Sequence, residues 1–202
     1  MRAVRDVLPE VEHRLCARHI YANWSKRHRG AKLRDLFWDC ARSTFEEQFN
    51  DNLRLIENES KEAANALVEY PVKSWVRAYF SDRCLSPSVD NMSESFNQWI
   101  DDFRYLPVLR MFDGMRQKMM DKWAKSDQKV RKWKGDYSPK CLELYELNRR
   151  LATNCRVRFN GDEGYEVDEG RYRHVVCLRR KICTCRLWDL TGIPCQHGVS
   201  AY

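Results

Sequence analysis

Apolar residues recur at three- and four-residue steps over the first two thirds of the chain. The clearest series is Leu33, Leu36, Phe37, Cys40, Ala41, Phe45, Phe49, Leu53 and Ile56, following a break at Gly30. That spacing predicts one long amphipathic helix whose aromatic stripe is core. Before it, Leu15, Cys16, Ile20 and Trp24 predict a helix over 9–28, entered through Pro9. After it, Ser60 and the acid that follows mark the start of a helix over 60–69, which Pro71 ends. The aromatic residues of 74–80 are read as packing, so 30–80 forms an all-helical block. Residues 86–90 are read as a loop, and Ser93 as the cap of a helix with Phe96 and Ile100 on its inward face. Pro107 precedes a helix over 108–134, with Leu109, Phe112, Met115, Met119 and Trp123 on its apolar face. A break at 135–139 leads to one more helix, over 139–152. From Cys155 the period changes to two. Arg156 to Phe159 and Tyr165-Glu166-Val167 alternate, Asp168-Glu169-Gly170 is a turn signal and Tyr172 to Leu178 is strand-like, which predicts a small antiparallel sheet.

Composition narrows the class. At 202 residues, 43% hydrophobic and 12% aromatic, the chain can bury a core and holds one domain, or a domain plus a small module. No apolar run is long enough to cross a membrane. The first ten residues carry no apolar signal region. Nine cysteines are an odd number. Without an export signal, reduced thiols with some holding metal fit better than a disulfide framework. The net charge of +7 is unevenly spread. Basic segments at 1–34, 110–134 and 171–186 surround an acidic middle, a distribution that suits partial contact with nucleic acid. Solvated helix faces account for the same charges.

The strongest chemical signal lies at 183–202. Cys183 and Cys185 are separated by one residue, and so are Cys195 and His197, with Thr191-Gly192-Ile193-Pro194 turning the chain between the pairs. A structural zinc site needs four such ligands from two short segments that can meet. Weaker candidates lie elsewhere. Cys16 and His19 stand three apart on a predicted helix and share a face; they form either a secondary metal site or a buried thiol beside a hydrogen-bonded histidine. Glu94 opens its predicted helix, where the helix dipole favours a carboxylate, or else it binds metal beside Asn91 and Asn97. Lys129, Arg131 and Lys132 on the 108–134 segment, and Arg179, Arg180 and Lys181 just ahead of the first cysteine pair, are candidate phosphate contacts.

The closing stretch resembles the SWIM zinc finger, Cys-x-Cys followed after a spacer by Cys-x-His. With Trp188 and Thr191-Gly192-Ile193-Pro194 it is similar to the version in plant Mutator-like (MuDR-type) transposases and the far-red-response transcription factors derived from them. The run His13-Arg14-Leu15-Cys16-Ala17-Arg18-His19-Ile20-Tyr21-Ala22-Asn23-Trp24 resembles the segment after that family's second catalytic aspartate. Asn91-Met92-Ser93-Glu94-Ser95-Phe96-Asn97, with Trp99, Arg104 and Pro107, resembles the block bearing its last catalytic acid.

The resemblance implies a mainly α chain. Residues 1–134 would be the helical insertion and terminal part of an RNase H-like DDE transposase domain, 135–154 a helical linker, and 155–202 a small ββα SWIM zinc module. It implies structural Zn2+ on Cys183, Cys185, Cys195 and His197. Glu94 becomes a vestigial catalytic carboxylate, with Mg2+ or Mn2+ bound only in an intact transposase. It also implies a nuclear protein that contacts DNA, or a protein partner through the finger; the sequence specifies no oligomeric state. The family's two upstream aspartates have no counterpart here, since Asp6 does not stand where a strand-borne one should. The chain is therefore expected to be a fragment that does not cut or join DNA alone. A transposase-derived regulator and a zinc-stabilised interaction module are the alternatives.

Overall fold

The computed structural model describes residues 7, 12, 14–81, 92–161 and 163–202. The chain is mainly helical, with a small four-stranded antiparallel sheet, and it divides into two compact units. One unit comprises 1–90 together with 148–202, and the other 91–147.

The first unit begins with α1 (Ala17–Trp24), α2 (Ala31–Arg42), α3 (Glu46–Glu59) and α4 (Lys61–Val68). Helix α1 starts later than the apolar spacing predicts. Ahead of it Leu15 lies outside any helix, its N–H donating to the Ser74 carbonyl at 2.7 Å, so that backbone is spent on a long-range bond and not on a helical turn. Helix α4 matches its expectation: the Ser60 hydroxyl accepts from the Ala63 N–H at 3.2 Å, which caps the first turn.

The single helix expected over 33–56 is two. Ser43, 1% exposed, breaks it: its hydroxyl donates to the Asp39 carbonyl at 2.8 Å and accepts from the Asn52 amide at 3.1 Å. The Gln48 side chain takes the Thr44 N–H at 3.0 Å. Local side-chain bonds of this kind let the backbone leave the helix without orphaning its polar groups. The apolar steps run on through the break, which is why periodicity alone misses it.

The helical core joins Trp24, Phe37, Phe49, Ile56, Leu67, Trp75 and Phe80. Phe37 and Trp75 stack at 5.6 Å with 9° between the rings, and the Trp24 indole N–H donates to the Ala63 carbonyl at 2.9 Å. The aromatic cluster of 74–80 is therefore packing, as expected, presented by two short 3-10 turns.

Strands β1 (Arg156–Phe159), β2 (Gly164–Glu169), β3 (Tyr172–Cys177) and β4 (Ile182–Cys183) pair in sequence order. Two short helices follow, α8 (Leu187–Thr191) and α9 (Gln196–Ala201). Burial alternates on β3, where His174 and Val176 are buried and Arg173 and Val175 exposed. On β1 every residue is exposed, so its alternation has no buried face. A second core gathers Val167, Val176, Trp188, Cys183, Cys185 and Cys195, with Phe45 packed against it. The helical break frees Phe45 for this role; its ring meets Tyr172 and His174 edge-on at 5.1 and 4.8 Å.

The second unit holds α5 (Met92–Ile100), α6 (Val108–Val130) and the start of α7 (Pro139–Ala152). The apolar face expected on α6 stays open: Leu109 is 81% and Trp123 66% exposed. The loop expected at 86–90 lies outside the described residues. Among the described residues, no helix is long and apolar enough to cross a membrane.

Candidate metal centre

Four side chains from two short segments converge in the second core. The sulfurs of Cys183, Cys185 and Cys195 and a ring nitrogen of His197 all lie within 4.8 Å of one another, and all four residues are buried. Cys183 ends β4. Backbone turns carry the chain to Cys185, and Arg186 follows in the left-handed region at φ 62°, where it caps α8. The Asp189 carboxylate accepts the Cys183 N–H at 3.3 Å and fixes the first cysteine pair.

The second pair opens α9. Cys195 is its N-cap, and its sulfur accepts the Gly198 N–H at 3.3 Å. The loop ahead is held by Asn148, 2% exposed, which donates to the Pro194 carbonyl at 2.8 Å. Gly198 is required by space: a Cβ there would stand 2.7 Å from two ring carbons of buried Trp188. The indole of Trp188 on α8 thus packs against the first turn of α9, in the same core as the three cysteines.

The imidazole of His197 has two differently occupied nitrogens. Nδ1 lies 3.6 Å from the Cys183 sulfur, while Nε2 lies 2.8 Å from Oε2 of Glu169. The Gln196 amide donates to the same oxygen at 3.1 Å. The His197 ring packs 4.2 Å from that of His174, whose pKa burial lowers to about 4, so His174 faces it uncharged.

The donor set fits zinc on chemical grounds. Without a cation the three thiols cannot ionise together. Hydrogen bonds from Cys183 and Cys185 pull the Cys195 thiol far below its ordinary value. Cys185 is pushed the other way by its bonds to Cys183 and Cys195 and by burial. At Cys183 a bond from Cys185 is outweighed by Cys195 and burial, and its pKa also rises. Burial works against charge on His197, but Cys195 and Glu169 more than offset it. A buried cluster that stabilises one thiolate at the expense of two others is completed by a divalent cation, which favours all three thiolates at once. Three sulfurs and one imidazole, closed from solvent, are the ligands of a structural zinc site and not of a catalytic one with an open position.

The family model of the SWIM zinc finger matches residues 178–202, so a SWIM zinc finger is present at the C-terminal end of the chain. No curated protein and no solved structure matches the chain.

The other sequence candidates are dispersed. Cys16 precedes α1 half-buried, and His19 lies exposed in the helix, its N–H on the Cys16 carbonyl at 3.1 Å. Among the described residues neither joins a cluster of three or more ligand atoms. Glu94 falls within α5, but its side chain lies outside the described residues. Arg179, Arg180 and Lys181 are exposed on the turn between β3 and β4, with Arg179 paired to Glu163. Lys129 lies in the last turn of α6, and Arg131 and Lys132 follow the helix in the other unit, all exposed, with Arg131 bonded to Asp127 at 2.6 Å.

Sequence reasoning passed over Glu169. Asp168-Glu169-Gly170 carries an ordinary turn signal, and nothing in it distinguishes a carboxylate aimed at a histidine 28 positions later.

Proposed function

We propose that this chain is the zinc-binding part of a Mutator-like DDE transposase, catalytically incomplete by itself, whose finger contacts DNA or a protein partner in the nucleus. The observation that carries the zinc reading is the convergence of Cys183, Cys185, Cys195 and His197 within 4.8 Å. The transposase lineage rests on the sequence resemblance around Cys16 to Trp24 and around Glu94. In this reading residues 1–134 descend from the RNase H-like domain, 135–154 link it to the finger at 155–202, and Glu94 is the surviving catalytic carboxylate. Mg2+ or Mn2+ would serve an intact transposase only. Support for a nucleic-acid contact comes from the exposed Arg179, Arg180 and Lys181 beside the ligands, and from Lys129, Arg131 and Lys132.

Metal content tests the first part: the chain should carry one zinc, lost in Cys195→Ala and in His197→Ala. Unchanged zinc in both variants would refute the assignment. Binding to random duplex DNA across a salt series tests the second, because each phosphate contact adds to the salt slope. A flat or absent response leaves a zinc-stabilised interaction module. A metal-dependent nicking assay should show no turnover; activity lost in Glu94→Gln would overturn the claim of catalytic incompleteness.

A further inference from the structure

The geometry points to Glu169 as the positioning residue that makes His197 a metal ligand through Nδ1, with Gln196 holding the carboxylate in place. The inference rests on the zinc reading of the centre. A carboxylate only accepts hydrogen bonds, so an Nε2 at 2.8 Å from Oε2 of Glu169 must carry the ring proton. A neutral imidazole has one N–H and one lone pair. With the proton fixed on Nε2, the lone pair sits on Nδ1, the nitrogen that lies 3.6 Å from the Cys183 sulfur. Glu169 therefore selects the tautomer and the ring orientation together, the role that outer carboxylates play around ligating histidines.

The carboxylate is itself held. Gln196, the residue between the two ligands of the second pair, donates to Oε2 at 3.1 Å, so adjacent residues of one helix start share a single oxygen. Glu169 ends β2 and pairs with Tyr172 across a two-residue turn in which Gly170 adopts φ 59°. That turn is pinned to α3, since Asp51 accepts from the Tyr172 hydroxyl at 2.5 Å and pairs with Arg171. The carboxylate is thus placed by a hairpin end fastened on both sides, not by a free side chain. The Cys155 sulfur lies within 4.8 Å of the Glu169 carboxylate and the His197 ring as well, with the Leu151 carbonyl 4.0 Å from it, while the 2.8 Å contact of the carboxylate is to His197.

The test compares the zinc-loaded full chain with Glu169→Ala, Glu169→Gln and Gln196→Ala. Chelator competition should show zinc affinity about 10–100-fold weaker in Glu169→Ala. Loss should be smaller in Glu169→Gln, whose amide oxygen can still accept from Nε2–H. Nitrogen-15 NMR of His197 should show Nδ1 on the metal and a slowly exchanging Nε2–H in the wild type, with that proton exchanging faster in Glu169→Ala. A merely structural role for Glu169 would leave the exchange of this one proton unmoved. Unchanged affinity and unchanged exchange in Glu169→Ala, or metal on Nε2 in the wild type, would overturn the inference while leaving the zinc reading intact. If Glu169→Ala does not fold, Glu169→Gln decides on the same two readouts. A wild-type chain that takes no zinc removes both.

Discussion

Replacing Gly198 with alanine sets two effects of opposite sign against each other. Gly198 lies in the first turn of α9, and alanine is favoured over glycine inside a helix by about 1 kcal/mol. Propensity alone therefore predicts a more stable protein. Packing predicts the reverse. The added Cβ would meet Cε3 and Cζ3 of Trp188 at 2.7 Å each, well inside van der Waals contact. The indole is 4% exposed and belongs to the same core as Cys183, Cys185 and Cys195, so it cannot swing into solvent. Forcing a methyl into a filled core costs about 1–3 kcal/mol, and a rigid ring struck at two atoms belongs at the upper end of that range. The net expectation is destabilisation by about 1–2 kcal/mol, which for a unit of this size lowers Tm by a few degrees. Relief requires Trp188 or the start of α9 to shift, and both adjoin ligands, so zinc affinity should fall as well. Thermal unfolding at fixed zinc, followed by chelator competition, reads both quantities. An alanine variant as stable as the wild type, with unaltered affinity, would refute the packing argument and leave propensity in command.

Arg186→Gly should keep the metal but loosen the finger from the helical block. Glycine accepts the φ of 62° without strain, while the guanidinium bonds to the Ala78 and Phe80 carbonyls are lost. A loss of about 1.5–3 kcal/mol in urea unfolding, with zinc content unchanged, is expected for charged donors of this kind. Phe37→Ala removes a fully buried ring stacked on Trp75 and should cost about 3–5 kcal/mol in the same assay. Alkylation followed by mass spectrometry should separate three classes of cysteine. Burial, and then Asp39, push the Cys40 thiol up to about 12, so with almost no thiolate it should stay unlabelled until the helices unfold. Cys183, Cys185 and Cys195 should be shielded with zinc and labelled once a chelator removes it, whereas half-buried Cys16 and Cys141 should react in either condition. Labelling of Cys40 in the native protein would show that its core opens.

Where the local chemistry and the long-range packing agreed, the sequence was readable. Ser60 caps α4 because its own hydroxyl reaches a nearby N–H, and such a bond is encoded within four residues. The four ligands were readable for the same reason, as short spacings fix which side chains can converge. The break between α2 and α3 was not readable from periodicity, because Cys40, Ala41, Phe45 and Phe49 keep the apolar step across it. What ends the helix is the polar bonding of Ser43 and Gln48. Glu169 and Arg186 were invisible for another reason. Each acts on a partner tens of residues distant, His197 in one case and the Ala78 and Phe80 carbonyls in the other. Nothing near either residue in the chain marks that reach. The exposed side chains of α6 reverse the relation, since their spacing predicts a buried face that the described residues do not cover.

The turn between β2 and β3 places Glu169 against His197 and, two and three residues later, Arg171 and Tyr172 against Asp51 of α3. Within four consecutive residues the chain therefore touches both a metal ligand and a helix. Whatever free energy the two contacts share is reciprocal: the factor by which intact helices tighten zinc is the factor by which zinc stabilises the helices. Asp51→Ala, which changes no ligand, would then weaken metal binding, and chelation would make α3 more open to hydrogen exchange, by the same coupling read from its two ends.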